Sequence, residues 1–214
     1  MRYGKIILRN EVSGLKKYGA GACTFGIFMN FALFAAKLYV ALSANSLSVY
    51  CDSVNNLLDV ISCALGLVAF ILCARLDDRQ AQRLQSLCTF VIGLIITLTG
   101  VYFIYNGIQR TLYPAPITYS IIYVKMLMVT IPAKALMAYV YRRLNRGIDT
   151  SVLKALLLDS LLDCAITAFA LIGLLLVPKA GFALDGAFAI SLGGVITVTA
   201  VSSTLKEARH LIND

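Results

Sequence analysis

Metal-site groupings of cysteine and histidine are missing from this 214-residue chain. Its six cysteines (Cys23, Cys51, Cys63, Cys73, Cys88 and Cys164) lie singly in or beside apolar stretches and form no C-x-x-C. That excludes a zinc ribbon and a thioredoxin-like redox motif; lone membrane cysteines serve as small packing residues. The single histidine, His210, sits in the polar carboxyl tail and is expected to be solvated. Strict apolar/polar alternation is also missing, which excludes barrel strands. Charge is sparse: 14% of residues are charged and 59% hydrophobic, against about 45–50% apolar in a soluble domain.

What is present is a series of apolar runs, each long enough to cross a hydrocarbon core about 30 Å thick. Mean hydropathy is +0.82. The chain reads as an all-α, polytopic membrane protein with six spans over 19–42, 46–73, 84–109, 117–141, 151–177 and 184–206. Turn chemistry marks the breaks: "SANS" at 43–46, "YPAP" at 113–116, "NRGIDTS" at 145–151 and "PKAG" at 178–181. The expected organisation is a basic amino tail (1–18), a six-helix membrane domain (19–206) and a short tail (207–214). The first apolar run is too long for a signal-peptide core and lacks a clear cleavage site, so it is expected to stay as the first span.

The net charge of +8 points to orientation rather than to nucleic acid. Arg2, Lys5, Arg9, Lys16 and Lys17 precede span 1. Arg75, Arg79 and Arg83 join spans 2 and 3; Arg142, Arg143, Arg146 and Lys154 join spans 4 and 5; Lys206 and Arg209 follow span 6. The other side carries only Arg110 and Lys179. This bias puts both termini in the cytoplasm of a multi-pass plasma-membrane protein. "NNLLDVISCALGL" at 55–67 echoes "DSLLDCAITAFAL" at 159–171. Spans 1–3 and 4–6 start on opposite sides, so the halves would be inverted repeats, a common transporter plan.

Five of the 11 acidic residues fall within spans: Asp52, Asp59, Asp159, Asp163 and Asp185. An aspartate at a helix centre costs roughly 2.5–3.5 kcal/mol on insertion scales, so Asp59, Asp159 and Asp163 need on the order of 10 kcal/mol of compensation. Asn55 and Asp59 are four apart on one helix face, as are Asp159 and Asp163. At about 1.5 Å per residue, both pairs reach mid-membrane from opposite ends of their spans. Packed face to face, the two helices would converge Asn55, Asp59, Asp159 and Asp163 on one point.

Three carboxylates and an amide carbonyl suit a divalent cation. The all-oxygen set favours Mn²⁺ or Mg²⁺ over Zn²⁺, which prefers His and Cys, with Fe²⁺ also open. Metal-free carboxylates would take up protons, which an incoming ion would displace. That makes proton-coupled exchange an expectation from electrostatics, with no resident cofactor. A structural ion-pair network is the alternative. Lys37 and Lys125 lie within spans and would neutralise carboxylates or balance their surplus charge, while Lys134 is expected to snorkel to the inner interface. Asp52, two turns from Asp59 on the same face, would assist release or hydrogen-bond within the bundle. Asp185 would act as a helix-start anion, and Asn30 and Asn45 as polar contacts between helices.

"NFALFAAKLYVALSANSLSVYCDSVNNLLDVISCALGL", "LKALLLDSLLDCAITAFALIG" and "LDGAFAISLGGVITVTAVSSTLKEARHLIND" resemble the first two helices, the fifth helix and the sixth helix of the cation diffusion facilitator family, in that order, over about 19–214. The resemblance implies a six-helix homodimeric antiporter that exports a divalent metal in exchange for protons. It implies a metal tetrad on helices two and five at Asn55, Asp59, Asp159 and Asp163. Zinc members usually carry a histidine in that tetrad; the set here is similar to members associated with manganese. Two departures stand out. The chain ends a few residues after span 6, which implies a member without the family's cytoplasmic domain. The 73–85 connection also lacks the glycine-arginine-glutamate feature expected there, and Asp77 and Asp78 in it are expected to be solvated.

Two other readings compete. "NNLLD" and "DSLLD" superficially match the aspartate motifs of Mg²⁺-dependent intramembrane prenyltransferases and phosphotransferases. Such prenyltransferases are larger bundles, and the Asp-Gly and Ala-Arg block of the phosphotransferases is missing before Asp159. The third reading is a non-transporting subunit whose acids pair with lysines and bind no metal.

Overall fold

The structure is a computed structural model that describes residues 2–72, 78–148, 151–180 and 183–213. These residues form six helices: α1 (Arg2–Ala44), α2 (Leu47–Leu72), α3 (Asp78–Leu112), α4 (Ile121–Ile148), α5 (Ser151–Ala180) and α6 (Ala183–Asn213). No strand occurs among the described residues. Among the described residues, five helices contain a segment long and apolar enough to cross a membrane: Gly19–Ala44, Leu47–Val68, Ile121–Arg146, Leu156–Leu176 and Leu184–Ser202. The protein is a polytopic, all-α membrane protein. The sixth helix, α3, packs along α6.

Several boundaries follow from local chemistry. No proline precedes residue 114, and α1 runs unbroken from Arg2, through the segment expected as a separate tail. It ends in a Schellman motif. Ser46 N–H donates to the Ala41 carbonyl at 3.0 Å and Asn45 N–H to Leu42 at 3.4 Å, with Asn45 left-handed at φ 54°. Ser46 then starts α2, its hydroxyl accepting from Val49 N–H at 3.4 Å. Helix α4 begins later than the expected 117 because Pro114 and Pro116 hold the preceding segment extended and Ser120 supplies the cap, accepting from Ile122 N–H at 3.3 Å. Pro132 lies inside α4, which continues through it.

The packing partners exchange when the first three helices are swapped for the last three. Helix α1 packs on α2 as α4 packs on α5, and α2 meets α3 as α5 meets α6; α1–α4, α2–α5 and α3–α6 pair across the halves. The α2–α6 contact has no comparable α3–α5 counterpart among the described residues. This arrangement fits the internal echo in the sequence.

Large apolar side chains such as Phe28 (71% exposed) and Leu98 (71%) point outward. On a water-facing surface such patches would drive association; in lipid they are the solvent-matched face. The interior is layered. Val40, Ala41, Ala44, Val49, Ile117, Val124, Leu127, Leu171 and Leu174 form an apolar cluster near the 45–46 turn. Ala22, Leu33, Met137 and Tyr141 form another toward the opposite end. Between them, α1, α2, α4 and α5 bury a polar layer.

Candidate metal centre

Helix α2 carries the polar stripe Asp52, Asn55, Asn56 and Asp59, all buried. The stripe recurs every three to four residues, as one helix face requires. Helix α5 answers with Asp159, Asp163 and Thr167 at steps of four; Asp163 and Thr167 are buried and Asp159 half-buried. The two faces meet. Asn55 Nδ2 donates to Asp163 Oδ1 at 2.6 Å. Asp59, Asp159 and Asp163 each offer a carboxylate oxygen within 4.8 Å of the other two. All four residues of the expected tetrad therefore converge, two from each helix.

The cation balance differs from expectation. Lys134 does not snorkel: it is 1% exposed, and its ammonium donates to Asp59 Oδ2 at 2.9 Å, to Asn30 Oδ1 at 2.6 Å and to Asp163 Oδ2. The reason is the face it occupies: Lys134 points into the bundle, where two carboxylates and an amide oxygen satisfy its ammonium. Lys125 is exposed and forms no ion pair among the described residues, so the structure does not bring it to the acids. At 3.6 residues per turn, nine residues separate Lys125 from Lys134 by about half a turn, and the two project from opposite faces.

Lys37 behaves as an intramembrane counter-ion should. Wholly buried on α1, it donates to Asp52 Oδ1 at 2.8 Å and to Thr167 Oγ1 at 2.6 Å. Asp52 thus hydrogen-bonds within the bundle, in a layer two turns from Asp59. Thr167 had no role in the sequence reading, although its position four residues after Asp163 carried the signal. Asn30 is a polar interhelical contact, as expected, and Asn45 is another, donating to the Pro116 carbonyl at 2.9 Å.

Asp185 is a helix-start anion, but for a neighbouring helix. It lies in the first turn of α6, and its carboxylate accepts from the Leu47 and Ser48 amides at 2.7 and 3.1 Å and from the Ser46 and Ser48 hydroxyls at 2.7 Å each. It therefore caps α2 from across the bundle. Arg110 Nε lies 3.5 Å from the same group. Cys23, Cys51, Cys63 and Cys164 are free thiols, the first three buried as packing residues. Asp77, Cys73 and the side chains of Asp78, Cys88 and His210 lie outside the described residues.

The match that decides the family spans nearly the whole chain: the cation efflux transmembrane domain covers residues 23–212. The chain belongs to the cation efflux family. A search of curated proteins finds no significant match. Membership makes the chain a divalent metal cation exporter and sets aside the prenyl- and phosphotransferase readings. In this cation efflux domain, the acids and the amide that meet between α2 and α5 are oxygen and nitrogen donors without histidine or thiolate.

Proposed function

We propose that the chain exports Mn²⁺ in exchange for protons, binding it at Asn55, Asp59, Asp159 and Asp163. The observation that carries this reading is the convergence of three carboxylates from α2 and α5 within 4.8 Å of one another in the buried polar layer. Hard oxygen donors favour Mn²⁺ over Zn²⁺. Asn55 donates its amide N–H to Asp163; turning that amide over presents its oxygen to the ion.

The cycle is alternating access. Metal reaches the pocket from the cytoplasm, where the half-buried Asp159 is the accessible member of the trio, and displaces protons from the carboxylates. Rocking of the helices opens the pocket to the other side, protons return and the metal leaves. Lys and Arg bias orients both termini to the cytoplasm of the plasma membrane, and the working unit is a homodimer.

Mn²⁺ flux into sealed proteoliposomes, with and without an imposed pH gradient, tests the reading. Uptake that rises with the gradient and ranks Mn²⁺ above Zn²⁺ is expected. Gradient-insensitive uptake refutes proton coupling, and a Zn²⁺-first ranking refutes the donor argument. Asn55→His supplies an imidazole and should move the ranking toward Zn²⁺ in the same assay.

A further inference from the structure

We propose that Lys134 is a tethered competitor for the transported cation. Its ammonium holds the carboxylates, and a divalent ion must push it aside to bind them. The inference rests on the tetrad being the transport site.

Lys134 comes from α4, which contributes no acid to the trio. Its ammonium has three donors and uses each on a different residue: Asp59, Asp163 and Asn30. Two of those partners are the carboxylates that bridge α2 and α5. A divalent ion bound to the same oxygens would stand a few ångströms from the ammonium in a buried, low-dielectric layer, where like charges repel strongly. Metal and ammonium therefore exclude one another from Asp59 Oδ2 and Asp163 Oδ2.

The side chain is suited to moving. Lysine is a compact charge on a flexible stem, unlike the planar fork of arginine. Asn30, on α1, contacts the ammonium without belonging to the acid trio, and stays available as its partner once the carboxylates turn to the metal. The lysine stays tethered throughout, and its displacement accompanies the release of protons from the carboxylates. When the metal leaves, Lys134 returns and the trio is not left uncompensated within the membrane. A site partly occupied by its own lysine binds metal with an affinity reduced by the fraction of time it is blocked.

Equilibrium binding of Mn²⁺ and of Zn²⁺, each alone, to the purified full chain tests this with Lys134→Gln and Lys134→Arg. The neutral variant should bind more tightly than the parent, with Kd lower by about tenfold, while maximal flux in proteoliposomes falls because release slows. The arginine variant, able to clasp a carboxylate with two parallel bonds, should bind more weakly. A general effect of nearby charge would tighten binding in Lys134→Gln too, but would leave Lys134→Arg, which keeps the charge, like the parent. Unchanged or weaker binding by Lys134→Gln overturns the inference and leaves the tetrad standing. If that variant does not fold, Lys134→Arg decides, and binding equal to or tighter than the parent overturns the inference. Failure of the parent to bind either metal overturns the tetrad as the transport site, and this inference with it.

Discussion

Two regions of this protein solve the membrane problem in opposite ways. Helices α1, α2, α4 and α5 enclose a layer of charge held by hydrogen bonds and ion pairs. Helices α3 and α6 bring backbones together with almost nothing between them. Gly93, Gly100 and Gly107 recur every seven residues on α3 and face Thr204, Gly193 and Gly186 on the antiparallel α6. A Cβ on Gly193 would lie 2.8 Å from the Gly100 carbonyl oxygen, and one on Gly107 would lie 2.9 Å from that of Gly186. Small residues permit such close approach where no hydrophobic effect drives helices together. The first region has discrete charged groups that can exchange partners. The second is a close-packed seam in which a Cβ at either helix's glycines would meet the backbone opposite. The charged layer and the glycine seam thus lie on different helices.

Substitutions in each region should break this contrast or sharpen it. The largest effect is expected from Asp59→Ala or Asp163→Ala: Mn²⁺ flux should fall to the level of empty vesicles while expression and monodispersity persist. Normal flux in both would remove the site from the polar layer. Next is Lys37→Met, which strands buried Asp52 without its cation and should lower stability by about 3–5 kcal/mol. Adding Asp52→Leu should recover most of that loss in thermal unfolding, and no recovery would mean that Lys37 acts beyond the pair.

A smaller change is expected at the seam. Gly193→Val overpacks it and should cost about 1–3 kcal/mol with Mn²⁺ affinity unaltered; an affinity change of tenfold or more would show that seam and site are coupled. The smallest is Asp185→Asn, which keeps an acceptor at the start of α2 but removes its charge. A loss of about 1 kcal/mol is expected in the melting curve, and no measurable shift would count against the cross-bundle cap.

Much of the site was legible because helical periodicity is rigid. Steps of four put Asn55 with Asp59 and Asp159 with Asp163, and buried acids demand a partner wherever they lie. Spacing alone could not say which lysine would meet them. Lys37, Lys125 and Lys134 are alike in composition, and their roles depend on which face of α1 or α4 points inward and where each helix ends. Lys134 is buried because its face of α4 meets Asn30, Asp59 and Asp163, a contact that spacing along one helix cannot reveal. The seven-residue glycine repeat of α3 is plain in the sequence, but glycine periodicity specifies no contact until the partner helix is known.

The order of apolar runs and polar interruptions determined by itself an all-helical membrane protein with acids at mid-span, because hydrocarbon admits few backbone forms and penalises every unpaired charge. Tertiary structure alone decided that α2 and α5 share those acids with an α4 ammonium, that Asp52 pairs with Lys37, and that Asp185 caps a helix other than its own. Such pairings join residues up to 139 positions apart, and only the packing of helices around one another brings them within hydrogen-bonding reach.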